Sequence, residues 1–255
     1  MEFVAYGVLG LFAFLFGSCT GSFINVVAYR LPRKLDMVKG RSFCPACGKT
    51  LKAYDMIPVL SFFCLKGRCR FCKEKISPRY PAVEALSGAV ALACVWVHGY
   101  TLAALIAFSS CAVLLAVALI DWDTQEIPNG LVLALAVPAL AAIGVFPEVS
   151  LLSRGIGLVA VSLPMLAMAL LIKNSFGGGD IKLMAVCGLL LGWQQILVGT
   201  FFALLTAGGY GAYLLATHKK GRKDTIAFGP FLAAGVALAL LAGEPVLHAY
   251  LSLFI

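Results

Sequence analysis

The chain has 255 residues, 61% of them hydrophobic and only 13% charged, and its formal net charge is +8. A soluble domain is about half apolar and a quarter charged, so this composition excludes an ordinary soluble enzyme and points to a chain that crosses a bilayer several times.

The first apolar run, 4–28, has no basic stretch ahead of it and is long enough to span. It reads as a retained helix and not as a cleaved signal. The loop 30–80 follows. Between Arg30 and Arg79 lie thirteen of the twenty Lys and Arg residues and three acids, and a second basic cluster is Lys219, Lys220, Arg222 and Lys223. An excess of Lys and Arg marks cytoplasmic segments, so both clusters are placed inside. The loop lacks the regular aromatic interleaving of a single-strand binder, so no nucleic-acid partner is expected.

The same loop carries Cys44-Pro-Ala-Cys47 and Cys69-Arg-Phe-Cys72, twenty-one residues apart. Each knuckle turns the chain so that two thiolates converge, and four complete a closed tetrahedral zinc site with no position left for substrate. A reducing cytoplasm argues against two disulfides. Cys64, in the loop but outside both knuckles, is expected to pack as a small apolar side chain, as are Cys19, Cys94, Cys111 and Cys187 in the apolar runs.

Further spans are read at 81–98, 101–120, 130–147 and 152–172. The stretch 183–217 is too short for two full spans, yet Gly192-Trp193-Gln194-Gln195 interrupts it. It is read as a short helix, 182–193, and a longer one, 196–217, followed by a span at 226–243 and a short interfacial helix in the tail 244–255. The expectation is an all-α polytopic membrane protein of about eight transmembrane helices, with a cytoplasmic zinc-ribbon-like loop between the first and second. It divides into a first helix (1–29), a zinc-binding loop (30–80) and a membrane core (81–255). With the loop inside, alternation puts the N-terminus outside and 121–129, 173–181 and 218–225 inside. Arg154 then sits near the outer face, where a basic residue is out of place.

Ionisable residues at the edge of a membrane core are functional candidates. Asp121 directly follows an apolar span in "LIDWDTQEIPNG", and Asp180 sits in "SFGGGDIKLMA". Two spans separate them, so the two acids return to one face although they are 59 positions apart. Two carboxylates in contact share a proton. The ionised one can take a proton from water while the protonated one polarises a carbonyl, as in the aspartic proteases. Gly177, Gly178 and Gly179 would let an extended substrate backbone approach that pair, and Pro128 sets a break before the next helix. Asp123, Lys182 and Glu84 are candidates for supporting roles. Their plainer readings are a solvated loop acid, a snorkelling anchor and an acid in the first turn of its helix.

These motifs, taken in order, resemble the bacterial type IV prepilin leader peptidases, a family of GxGD intramembrane aspartic proteases. The likeness runs through "GSFINVVAYRLP", both cysteine knuckles, "ISPRYPAVE", "IDWDTQEIPN" and "GGGDIKLMA". The resemblance implies that Asp121 and Asp180 are the catalytic pair, with Gly177 and Gly179 as the signature glycines. It implies cleavage of the basic leader of prepilins or type II secretion pseudopilins, on the cytoplasmic side of a bacterial inner membrane. It also implies N-methylation of the new N-terminal residue with S-adenosylmethionine, an activity associated with the long cysteine-bearing loop. Asn129 departs from the family pattern, which often has an acid after the proline. A peptidase without methyl transfer stays open, since no Rossmann-type donor motif is present. A proton-relay transporter is the rival from another class, and it would set the acids at mid-membrane. The sequence does not set the oligomeric state.

Overall fold

The computed structural model describes residues 2–37, 42–172, 175–219, 221 and 225–252. Among these the chain is helical, with two isolated β-bridges in the cysteine loop and no strand. In chain order the helices are α1 (Glu2–Arg30), α2 (Leu60–Cys64), α3 (Arg79–His98), α4 (Leu102–Thr124), α5 (Asn129–Val145), α6 (Leu151–Ala160), α7 (Ser162–Leu171), α8 (Gly178–Leu191), α9 (Trp193–Ala216) and α10 (Gly229–Leu251). The chain divides into two compact units, Met1–Ala104 and Leu105–Ile255.

Six helices are long and apolar enough to cross a membrane, counting α6 and α7 as one. Among the described residues α5 is a shorter apolar helix, so the eight spans expected are approximate. At 1.5 Å per residue α8 is about 21 Å long, short of the ~30 Å hydrocarbon layer. It is nonetheless sheathed by protein, because α5, α6, α7, α9 and α10 all pack on it. The join between α8 and α9 is tighter than the four-residue break read from sequence. Gly192 alone makes it, at φ 78°, and Trp193, Gln194 and Gln195 already belong to α9. A left-handed backbone is open to glycine without a steric penalty, so one residue is enough.

The span 151–171 is broken after Ala160. Pro164 has no N–H to give, and its ring crowds the carbonyl four residues back, which is that of Ala160. At the other end of the chain the tail does not form a separate interfacial helix. Instead α10 continues through Pro245 to Leu251.

In the first unit α3 packs along α1, and the contact is backbone-close. A β-carbon at Gly17 would lie 2.6 Å from Ala91 Cβ and one at Gly21 2.8 Å from Glu84 Cα. Gly17 and Gly21 are four residues apart on one face, the small-xxx-small spacing that lets helices approach closely in lipid.

Arg154 is the largest fully buried side chain, at 1% exposure. Its guanidinium donates to the carbonyls of Ala142, Phe146 and Val149 around the end of α5, and to those of Leu189 and Leu190 at the end of α8, at 2.7–3.3 Å. The last carbonyls of a helix have no partner within it and carry its negative end. The charge that looked misplaced in the sequence is therefore spent on two helix C-termini. Arg154→Met is expected to leave several acceptors unpaired, each costing about 1–3 kcal/mol. The unfolding midpoint in detergent should fall by about 5–10 °C. Arg154→Lys should recover only part of this, since an ammonium cannot span five acceptors. An unchanged midpoint for the methionine variant would refute that role.

Candidate active site and metal centre

The four knuckle cysteines come together. All four Sγ atoms lie within 4.8 Å of one another, and Cys44 Sγ is 3.8 Å from Cys72 Sγ. Four ligands about 2.3 Å from a tetrahedral zinc are spaced about 3.8 Å apart, so the cluster has the dimensions of a closed zinc site. The two knuckles share one design, offset by twenty-five residues. Cys44 N–H donates to Lys49 O and Cys69 N–H to Glu74 O. Gly48 N–H donates to Cys44 O and Lys73 N–H to Cys69 O. Phe43 bridges to Thr50, and Arg68 to Lys75. Gly48 and Lys73 both adopt a left-handed backbone, at φ 68° and 61°. Beyond the paired cysteines this repeat does not show in the residue types, because lysine stands where the first knuckle has glycine. The backbone N–H groups of Cys72 and Phe71 point at the Cys69 sulfur and hold its thiol down to about 7, which favours the thiolate that metals take.

Cys64 and Cys19 are exposed, contrary to the expectation that they pack as small apolar groups, whereas Cys94, Cys111 and Cys187 are buried. Cys64 ends the five-residue α2, which is too short to cover it, and Cys19 falls on an open face of α1.

In the second unit the ends of α4, α5, α8 and α10 gather around the two acids. Asp121, in the last turn of α4, is 5% exposed. Its Oδ2 accepts from the backbone N–H of Gly229 at 2.8 Å, at the positive end of α10. A β-carbon at Gly229 would lie 2.8 Å from that oxygen, so the close approach needs glycine. Asp180 is the third residue of α8, and its Oδ2 accepts from Gly177 N–H at 3.2 Å. Its Oδ1 is buried and has no hydrogen-bond partner.

The three glycines do different things. Gly177 gives its amide to Asp180, and Gly178 faces open space. Gly179 abuts Ile127, where a β-carbon would come 2.8 Å from Ile127 Cβ. That contact locks the "EIPN" turn against the start of α8 and brings the two acid-bearing motifs together. Other ties close the same end. Lys182 Nζ donates to Asn129 Oδ1 at 3.0 Å, so the residue that departs from the family pattern still serves as its acceptor. Gln125, left-handed at φ 55°, exchanges hydrogen bonds with Thr225. Phe176 and Phe228 meet with ring centroids 5.6 Å apart.

Asp123 is exposed just outside this cluster. Glu84 lies in the other compact unit. Because α3 begins at Arg79, Glu84 is in the second turn and not the first, so it does not serve the helix dipole. Its Oε2 accepts instead from the N–H of Val59, a residue held at φ 62°.

Two family models match the chain: the bacterial peptidase A24 N-terminal domain over residues 15–98 and the type IV leader peptidase family over 108–212. Among curated relatives, a prepilin leader peptidase/N-methyltransferase of Burkholderia pseudomallei (strain K96243) is 36% identical, with 92% of this chain and 85% of the relative aligned. The chain belongs to the type IV leader peptidase family. Relatives with the same name from Bacillus subtilis (strain 168) and Aeromonas hydrophila are 34% and 35% identical. They align over 94% and 99% of this chain and 97% and 98% of their own lengths. No solved structure matches.

Sequence reasoning missed Gly229, Ile127, Phe176 and Phe228. Only Gly229 carried a signal, a Gly-Pro pair opening an apolar run. The others are apolar residues beside motifs, and only the fold shows what they touch.

Proposed function

We propose that this chain is an intramembrane aspartic endopeptidase that removes the basic leader of prepilins or pseudopilins, with Asp121 and Asp180 as its catalytic pair. The observation that carries this reading is the gathering of the two acid-bearing motifs at one end of the second unit, through the Gly179–Ile127 and Lys182–Asn129 contacts, with Gly178 open beside them. One carboxylate takes a proton from water as the water oxygen attacks the scissile carbonyl carbon. The other, protonated, donates to the carbonyl oxygen. Collapse of the tetrahedral centre breaks the carbon–nitrogen bond, and the departing nitrogen takes up a proton. The backbone N–H groups of Gly229 and Gly177 hold one oxygen of each acid, which leaves the other oxygen of each for water and substrate. Lys182 and Asn129 tie α8 to the start of α5 beside the pair.

The loop 30–80 and the acids face the cytoplasm of a bacterial inner membrane in this reading, supported by the thirteen basic residues of the loop. The cysteine cluster holds a structural zinc, and the mature N-terminus is N-methylated with S-adenosylmethionine. The test is to incubate membranes containing the protein with a prepilin and weigh the product's N-terminal peptide. The expected product lacks the leader and carries one added methyl group. An intact leader after prolonged incubation would overturn the peptidase reading, and a cleaved but unmethylated product the methyltransferase reading.

A further inference from the structure

We propose that the segment 54–64 of the cysteine loop is an interfacial anchor, seated in the headgroup layer of the leaflet on the loop's side and drawn there by anionic lipid. It concerns the first compact unit alone and does not rest on the reaction proposed above.

The loop leaves the membrane at Arg30, the end of α1, and returns at Arg79, the start of α3. At 1.5 Å per residue α3 is about 30 Å long, the thickness of the hydrocarbon layer itself. Glu84 is in its second turn, and the carboxylate accepts the N–H of Val59 at 2.7 Å. The residue just before α2 is therefore pinned beside the first turns of a spanning helix and not held out in water. The same level follows from α1. Its Ser22, Asn25 and Val26, all short of its end at Arg30, line one cavity with Ser61, Phe62 and Leu65 from α2 and its C-cap. Val59 itself is held at φ 62° and ψ −53°, with Leu60 N–H donating to Pro58 O at 2.6 Å. That is a tight γ-turn, which a β-branched residue adopts only where its surroundings impose it.

With Ser61, Phe62 and Leu65 turned to the cavity, the other side of α2 carries Leu60, Phe63 and Cys64. A helix of this kind in water would carry polar groups there. Instead Leu60 is 59% and Phe63 69% exposed, and Met56 and Ile57, in the turn before it, are 42% and 46% exposed. Between Lys52 and Lys66 the one acid or base is Asp55, which is buried and paired with Arg70. The apolar tip thus has no exposed charge of its own.

Exposed Lys52, Lys66 and Arg68 flank the tip, in a loop with thirteen basic residues and three acids. Apolar side chains set among basic ones suit a segment that lies in the plane of the interface, its apolar groups about 5–10 Å deep. Lys and Arg at that level are attracted to anionic headgroups. A basic leader peptide would be repelled by the same flanks, so the charge pattern selects lipid over substrate.

The test uses the full-length protein in nanodiscs of phosphatidylcholine and phosphatidylglycerol in equal parts, with a trace of each lipid carrying a diazirine near the top of its acyl chain. After irradiation, mass spectrometry of the digest should find lipid adducts on 54–64 as well as on the spans, whose adducts serve as the internal standard. Leu60→Glu with Phe63→Glu puts two charges on the outward side and should cut the adducts on 54–64 at least about tenfold. Lys52→Gln, Lys66→Gln and Arg68→Gln together keep the apolar tip and should lower them several-fold, as should discs of phosphatidylcholine alone. Zinc content reports in each case that the loop is intact. Wild-type protein with adducts on the spans and none on 54–64 would overturn the anchor, and so would undiminished adducts in the double glutamate variant. Equal yields in mixed and phosphatidylcholine discs would overturn the part played by anionic lipid. Adducts on 54–64 that vanish when a prepilin is added would give the face to substrate and overturn the proposal.

Discussion

Asparagine in place of Asp121 or of Asp180 is expected to lower leader cleavage by about a thousandfold or more, within the range for loss of an acid–base group. The substitution is nearly isosteric. Its amide oxygen can still accept from Gly229 N–H at position 121 or from Gly177 N–H at position 180. The fold should survive, and the loss should fall on chemistry: an amide can neither take a proton from water nor share one with its neighbour. Mature pilin is measured against time, with monodisperse elution as the check on folding. Asp123→Asn is the control, because Asp123 is exposed and outside the cluster, and it should change the rate by no more than about threefold. Near wild-type cleavage in either of the first two variants would falsify the pair.

Serine at both Cys44 and Cys47 should remove the metal and undo the loop. Purified wild-type protein is expected to hold one zinc per chain and the double variant none. Structural zinc supplies about 10 kcal/mol or more of folding free energy to small domains, and this loop has little else to replace it. Among the described loop residues, regular structure is limited to two isolated bridges, one turn of 3-10 helix at Ala53–Met56 and the five-residue α2. Limited proteolysis should therefore cut the variant within 42–76 far faster than the wild type. Methylation should fall further than cleavage, since Asp121 and Asp180 lie outside this loop. Cys64→Ser should leave the metal in place, because Cys64 lies outside the sulfur cluster. Zinc retained by the double variant, or lost from the Cys64 variant, would mean that other ligands hold it.

What the sequence shows here depends on how locally each feature is encoded. The cysteine knuckles are short-range devices, so spacing alone announced the cluster. The spans follow from hydropathy and came out close to their observed limits. Asp121 and Asp180 could be brought to one face by counting crossings, without knowing any contact. Arg154 could not be understood in this way, because its five acceptors come from two separated segments, 142–149 and 189–190, and only packing around α5 and α8 collects them. Glu84 was misplaced by one turn because α3 starts two residues before its apolar run. That shift moved its carboxylate from a helix end to the Val59 amide. The glycines before Asp180 looked alike in sequence, and the fold gives one to a carboxylate, one to open space and one to Ile127.

The amide that holds Asp121 has a consequence for genetics. A backbone N–H is common to every residue type except proline, so nineteen of the twenty amino acids at position 229 would keep the donor. Position 229 should nevertheless tolerate almost none of them, because the space that a β-carbon would need is filled by the Asp121 carboxyl, 2.8 Å away. An exhaustive substitution map would therefore score Gly229 as essential while its side chain, a hydrogen, takes no part in the chemistry. The map would be reporting a volume, and the hydrogen bond that the volume protects would stay out of sight of any side-chain scan.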